Sequence, residues 1–286
     1  MSNKAISLVL GSGGARGLAH VGVIRWLEEN GHEIRSISGC SIGSLIGGAH
    51  ATGKLDAVVE WMESFTKKEI YSMLDLSFTW NSLVKGDKMM AAIQSKIGTD
   101  LIEDLPIKFT AVAADIAAEK EHWFQSGPID QAIRASVSLP LFFAPYNVGG
   151  VQLIDGGILN PTPIEPTLGD DTDLTLAVDL GGPMMKEAIP EPEKAQSPWQ
   201  QKMDDFLNSM KSSESKPKDQ WDMFYIADQS FNTMQNAIAR IRMADNPPDH
   251  LISVPRNKCG TLEFDRSAEM IEYGYRLAAE QLSSKI

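Results

Sequence analysis

The feature that most limits what this chain can fold into is a serine held between glycines, Gly39-Cys40-Ser41-Ile42-Gly43. It follows a segment carrying the β-branched residues Ile34 and Ile37. It opens onto Ser44-Leu45-Ile46-Gly47-Gly48-Ala49, a run of small residues that reads as a helix. A strand that passes into a helix through so short a turn holds its serine in strained backbone, and the flanking glycines remove the side chains that would collide there. The spacing is that of a nucleophile elbow. A helix beginning at this point also turns the positive end of its dipole toward Ser41, where an alkoxide or acyl oxyanion would be stabilised. The same five residues can equally form an ordinary turn, so the remainder of the chain has to decide.

Ile6-Ser7-Leu8-Val9-Leu10 reads as a buried strand that empties into Gly11-Ser12-Gly13-Gly14-Ala15-Arg16-Gly17, followed by a helical pattern through Leu18, Val21, Ile24, Trp26 and Leu27. The dinucleotide fingerprint fails, because counting from Gly11 the third glycine position falls on Arg16. A phosphate-binding P-loop fails for want of a Lys-Ser/Thr pair after the glycines. What remains is a cradle of backbone N–H groups unshielded by side chains, suited to an oxyanion. Only this third reading also accounts for the serine one strand later.

Further along, helices are expected over 55–65 and from Asp87, as a cap, to Ile97, with irregular chain at 71–84. A strand at 106–115 is followed, after a charged turn, by His122-Trp123-Phe124, which suggests a hairpin or adjacent pair. A short helix from Ile129 to Val137 meets Pro140 within Ser136-Val137-Ser138-Leu139-Pro140. Val151-Gln152-Leu153-Ile154 ends in Asp155-Gly156-Gly157, where the aspartate either closes an Asx turn or presents a functional carboxylate. Thr175 to Leu180 is a further strand that also carries an aspartate, Asp179, before two glycines. From Met184 to about Gln220 prolines mix with Glu, Lys, Gln and Ser, marking a solvated insertion. Within it Trp199, Met203, Phe206, Leu207 and Met210 share a helical face, which suits packing on the core or a mobile amphipathic lid. A helix over 224–243, a strand at 251–254 and a helix over 265–282 close the chain. This alternation specifies an α/β fold, a three-layer α/β/α sandwich with a mainly parallel central sheet, in a single domain over residues 1–286. Functional groups in such folds gather at the carboxyl ends of strands.

Bulk properties narrow the function. With 286 residues, 43% of them hydrophobic, the chain can bury a large core. A formal net charge of -12 disfavours nucleic acid and stable adsorption to anionic lipid. Two cysteines far apart form neither a disulfide framework nor a metal cluster, and with no signal-peptide pattern or bilayer-length apolar run they point to a cytoplasmic protein with reduced thiols.

Acyl transfer needs a nucleophile, a base and oxyanion donors around one carbonyl. Ser41 and the amides of Gly13 to Gly17 supply two of the three. For the base there are five histidines, and only His250 fits the hydrolase order Ser…Asp…His. The competing arrangement is a pair in which Asp155 takes the Ser41 proton directly. At the ordinary value of about 3.9 an aspartate is a poor base for a hydroxyl, and burial would improve it.

The set Gly13-Gly14-Ala15-Arg16-Gly17, Gly39-Cys40-Ser41-Ile42-Gly43, Ala135-Ser136-Val137-Ser138-Leu139-Pro140 and Asp155-Gly156-Gly157, in this order and spacing, resembles the patatin-like phospholipase family over residues 5 to 180. Within it the chain looks most like the small bacterial single-domain, RssA-like group. The resemblance implies a patatin-like fold and a Ser-Asp dyad hydrolase of phospholipid or lysophospholipid acyl esters, with Ser41 as nucleophile and Asp155 as base. It implies oxyanion stabilisation by the amides of Gly13, Gly14, Ala15 and Arg16, with Arg16 at the family's basic position and Gly39, Gly43, Gly156 and Gly157 supporting the motifs. The family's glycine loop often begins with a third glycine where this chain has Ser12. Cys40 is read as a small residue neutral to the chemistry. No metal and no cofactor are expected. The partners expected are a lipid ester substrate, transient contact with a membrane surface and a second copy of the chain. Phe142, Phe143, Met73, Trp80 and Leu83 are candidates for an acyl-chain wall. The alternatives are a non-catalytic regulatory or lipid-sensing protein on the same fold, and a general carboxylesterase or thioesterase.

Overall fold

A computed structural model describes residues 3–64, 87–140, 143–185 and 223–286. Four of the acyl-wall candidates (Met73, Trp80, Leu83 and Phe142) and the proposed helical face from Trp199 to Met210 lie outside the described residues.

Eight strands form one sheet among the described residues: β1 (Ala5–Leu10), β2 (Glu33–Cys40), β3 (Lys108–Asp115), β4 (Lys120–Phe124), β5 (Tyr146–Val148), β6 (Val151–Asp155), β7 (Leu174–Gly182) and β8 (His250–Pro255). Their order is β5-β6-β3-β2-β1-β7-β8, with β4 also paired to β3. β1, β2, β3, β7 and β8 run parallel, while β4, β5 and β6 are antiparallel additions at one side. The hairpin of β4 on β3 is as expected from sequence; the three-residue β5 is not legible there.

Helices cover both faces. α1 (Ala19–Glu29) packs along α7 (Ser267–Leu282), and α2 (Ile42–Ala51) lies on β2 and β3. α3 (Leu55–Glu63) and α4 (Asp87–Ile97) follow α2, and α5 (Ile129–Ser136) rests on β3. Asp87 is the first residue of α4. α6 (Met223–Asp245) packs on β7 from the other side. The alternation of β1 shows the division. Ile6, Leu8 and Leu10 join the large apolar cluster with α1 and α2, whereas Val9 belongs with Ala177, Ile164 and Met243 of α6. The three-layer α/β/α arrangement read from the sequence is present.

The edge of β3 positions everything that follows. Along one side, Ala111–Asp115 pair with β4. Along the other, β2 pairs with Lys108–Val112 and stops at Cys40 opposite Val112, and β6 takes over with Asp155 opposite Ala113. β2 and β6 therefore run toward each other on the same edge of β3. The carboxyl ends of an antiparallel and a parallel strand meet, although Asp155 and Ser41 are 114 residues apart in the chain.

Candidate active site

Ser41 is the N-cap of α2, with φ 55 and ψ -124. Such a backbone is sparsely populated for a residue with a side chain and is held only when its surroundings impose it. Its carbonyl accepts the amides of Ser44 at 2.9 Å and Leu45 at 3.2 Å and the Ser44 hydroxyl at 2.6 Å. Gly43 has to be glycine, because a Cβ there would stand 2.0 Å from the Leu10 carbonyl oxygen.

Asp155 is fully buried. Its Oδ1 accepts the Gly157 amide at 2.8 Å, an Asx-type closure of the turn, and faces the Cys40 thiol at 3.8 Å. Its Oδ2 is buried and has no partner that meets hydrogen-bond geometry among the described residues. Burial raises the Asp155 pKa to about 6; the nearby Ser41 hydroxyl, the Gly157 amide and the Cys40 thiol pull the other way and limit the rise. The Ser41 hydroxyl is thus near enough to stabilise the carboxylate, yet the contact is looser than a formed hydrogen bond. Of the two sequence alternatives, the Asx turn is formed by Oδ1, while Oδ2 is left without a partner among the described residues.

The glycine loop is more selective than its sequence suggests. The Gly11 and Ser12 amides donate to Val178 and Pro161 carbonyls at 3.0 and 2.7 Å, and the Ala15 amide donates to the Thr261 carbonyl at 2.9 Å. The Gly13 and Gly14 amides have no backbone partner among the described residues. The Arg16 guanidinium is buried and each of its nitrogens donates: Nε to the Leu180 carbonyl at 3.1 Å, one terminal nitrogen to the Cys259 carbonyl at 3.0 Å and the other to Asn232 Oδ1 at 3.3 Å. The carboxyls of Asp179 and Asp228 also act on it. Burial raises the pKa of both and Arg16 partly offsets the rise, so Asp179 belongs to this clasp. Ser12 accepts a long bond from Gln235 of α6 at 3.4 Å, which ties that helix to the loop.

No histidine contacts Ser41 or Asp155 among the described residues. His250 opens β8 opposite Leu176, which lies on the rung of Leu8 and Ile37. That is three strands from β2 and four residues, about 13 Å along a strand, short of Ser41. His122 shares the rung of Ala113 and Asp155 but stands on the far side of β3, its ring tilted against that of Phe124 at 4.4 Å. His20 is buried under the loop with Nε2 2.9 Å from the Gly11 carbonyl. His32 stacks on Trp26, and His50 lies 3.9 Å from Glu28. Phe143 packs under the Arg134 guanidinium at 5.8 Å. Two contacts escaped the sequence reading: the Cys40 thiol at Asp155, and the Ser136 hydroxyl at the Ser41 amide. Only the Ala135–Pro140 motif signalled the second.

A family model described as patatin-like phospholipase matches residues 8–168. An uncharacterized NTE family protein of Mycobacterium tuberculosis is 35% identical over 333 residues, spanning 99% of this chain and 92% of its own. A lysophospholipase NTE1 of Pyricularia oryzae is 29% identical over 291 residues, covering 99% of this chain and 19% of that protein. A lysophospholipase nte1 of Aspergillus fumigatus is 36% identical over 188 residues, 63% of this chain and 12% of that one. Among solved structures, VipD from Legionella pneumophila superimposes with a TM-score of 0.49 at 16% identity, over 99% of this chain and 67% of that chain.

Proposed function

The chain belongs to the patatin-like phospholipase family, the lipid acyl hydrolases, and on that premise we propose that it cleaves single acyl esters of lysophospholipids or phospholipids through Ser41 and Asp155. The observation that supports this reading is the convergence of a strained serine and a buried carboxylate, its pKa raised to about 6, on one edge of β3. The lysophospholipase names of two relatives favour the single-chain substrate.

In this mechanism the Ser41 hydroxyl attacks the ester carbonyl while Asp155 Oδ2 takes its proton. The carbonyl oxygen becomes an oxyanion facing the amides of Gly13 and Gly14; of the other two residues of the motif, Ala15 has its amide on Thr261 and Arg16 has its side chain on Leu180, Cys259 and Asn232. Collapse expels the alcohol, which leaves with the proton from Asp155, and an acyl-serine remains. Water then attacks the acyl carbon as Asp155 accepts its proton, and release of the fatty acid returns the proton to Ser41. A carboxylate with a pKa of about 6 is ionised at neutral pH yet basic enough for both transfers.

No helix among the described residues is long and apolar enough to cross a membrane. We propose that the enzyme works from the cytoplasm and meets lipid by transient surface contact. Release of fatty acid from a lysophosphatidylcholine series of increasing chain length tests the reading. Ser41→Ala and Asp155→Asn should each lose essentially all turnover; full activity in either variant would move that role to another residue. Turnover confined to short soluble esters would instead favour a general carboxylesterase.

A further inference from the structure

The mechanism leaves the Ala135–Ser138 stretch without a task, yet it touches both members of the pair. Ser136 is completely buried at the last residue of α5. Its hydroxyl accepts the Ser41 amide at 2.9 Å and donates its own proton to the Val112 carbonyl at 2.7 Å. The bridge lies at the rung where the β2–β3 ladder ends, Cys40 opposite Val112. Two residues on, the Ser138 carbonyl accepts the Asp155 amide at 2.9 Å. That turn is tied back to α5 in its own right, since the Ser138 hydroxyl donates to the Arg134 carbonyl at 2.7 Å.

We propose that Ser136 is a positioning residue for Ser41, and that α5 and the turn after it set the separation of the hydroxyl from the Asp155 carboxylate. The first turn of α2 fixes the Ser41 carbonyl, through Ser44 and Leu45. The Ser136 hydroxyl fixes the amide on the other side of the same residue. Together they determine both dihedrals of a residue whose φ of 55 no local preference would keep. With the hydroxyl removed, the Ser41 amide loses its fixed partner in a closed site, and the chain can relax toward ordinary dihedrals. That rotation swings the Ser41 Oγ away from Asp155. A displacement of about an ångström at the reacting atoms costs on the order of a hundredfold in rate. Substrate binding does not depend on this bridge, so the loss should fall on kcat.

The inference rests on the reading of Ser41 as nucleophile, and the experiment separates the two. Wild type, Ser136→Ala and Ser136→Cys are treated with a fluorophosphonate probe, the labelled residue is located by peptide mass mapping, and kcat and KM are measured with a p-nitrophenyl acyl ester. Cysteine fills the serine's space but accepts hydrogen bonds poorly, so it carries the test if the alanine variant does not fold. The expected result is labelling of Ser41 in wild type, with labelling rate and kcat lowered ~10- to 100-fold in each folded variant and KM within about twofold. A folded variant that labels and turns over at the wild-type rate overturns the role of Ser136 while leaving Ser41 as nucleophile. Absence of label on Ser41 in wild type overturns both.

Discussion

The Cys40 thiol lies 3.8 Å from Asp155 Oδ1, on the last residue of β2 and facing the last residue of β6. Its own pKa is pushed well up, by burial first and then by the Asp155 charge, so it stays a thiol and can only donate. A donor to the ionised carboxylate lowers the aspartate's pKa. With Asp155 at about 6, kcat/KM should rise with pH through about 6 and level off above it. Cys40→Ala removes a donor and should move this limb to higher pH; Cys40→Ser, a stronger donor, should move it lower. Rate profiles from pH 4.5 to 8 read the shift, and superimposable limbs in all three proteins would exclude the thiol from tuning the base.

Asp155 should also cost stability. Its folded pKa of about 6 lies above the ~3.9 of an unfolded aspartate, so between those values the folded state holds the extra proton. Stability from this group is therefore present at low pH and lost as pH rises through about 4 to 6. The two-unit gap is worth on the order of 3 kcal/mol at pH 8. Asp155→Asn, inactive, should melt several degrees above wild type at pH 8 and close to it at pH 4. Equal melting temperatures at both pH values would mean that the carboxylate is better solvated than its surroundings indicate.

How much of this was legible from sequence follows the range of the interactions involved. The strain at Ser41 is a local matter of five residues, so its spacing gave the elbow away. The three layers followed from strands and helices in alternation. That Asp155 reaches Ser41 along an antiparallel strand could not be seen, because the register of β6 on β3 is a contact between distant segments. Arg16 is a harder case. Its place beside the glycines suggested a role at the oxyanion, whereas its partners Leu180, Asn232 and Cys259 are all more than 160 residues away. The acceptor of the Ala15 amide, the carbonyl of Thr261, was out of view for the same reason.

His20 opposes Asp155 in its pH dependence. Burial lowers its pKa to about 4, with the bond to the Gly11 carbonyl offsetting part of the effect. An unfolded histidine titrates at about 6.5, so here the unfolded state takes the proton first. Stability from a neutral His20 is complete above about 6.5 and declines as pH falls toward 4. Over the same interval Asp155 gains, so the contributions of these two groups oppose each other. His20→Gln keeps a donor for the Gly11 carbonyl without the titration, and should become more stable relative to wild type as pH drops from 7 to 4.5. Urea unfolding at both pH values measures it; a constant difference would show that folding does not lower the pKa of the imidazole.

Arg16 offers the sharpest separation between holding the loop and serving the reaction. Its three donated bonds reach β7, α6 and the turn at Cys259, so one side chain ties the glycine loop to three distant segments. Arg16→Ala removes the donor to two buried carbonyls and to the part-buried Asn232 side chain, at about 1–3 kcal/mol each. It also frees Asp179 and Asp228 from the cation that moderates their raised pKa values. The expected result is a fall in melting temperature of roughly 10 °C or more, at the few degrees per kcal/mol usual for a chain of this length. Arg16→Lys keeps the charge but cannot span three acceptors in one plane, and should lie between the two. If Arg16 acted only on the oxyanion, both variants would melt like wild type and lose rate alone. A Lys variant that keeps its rate per folded molecule while melting early would instead assign the guanidinium to the scaffold, with the amides of Gly13 and Gly14 left to meet the oxyanion.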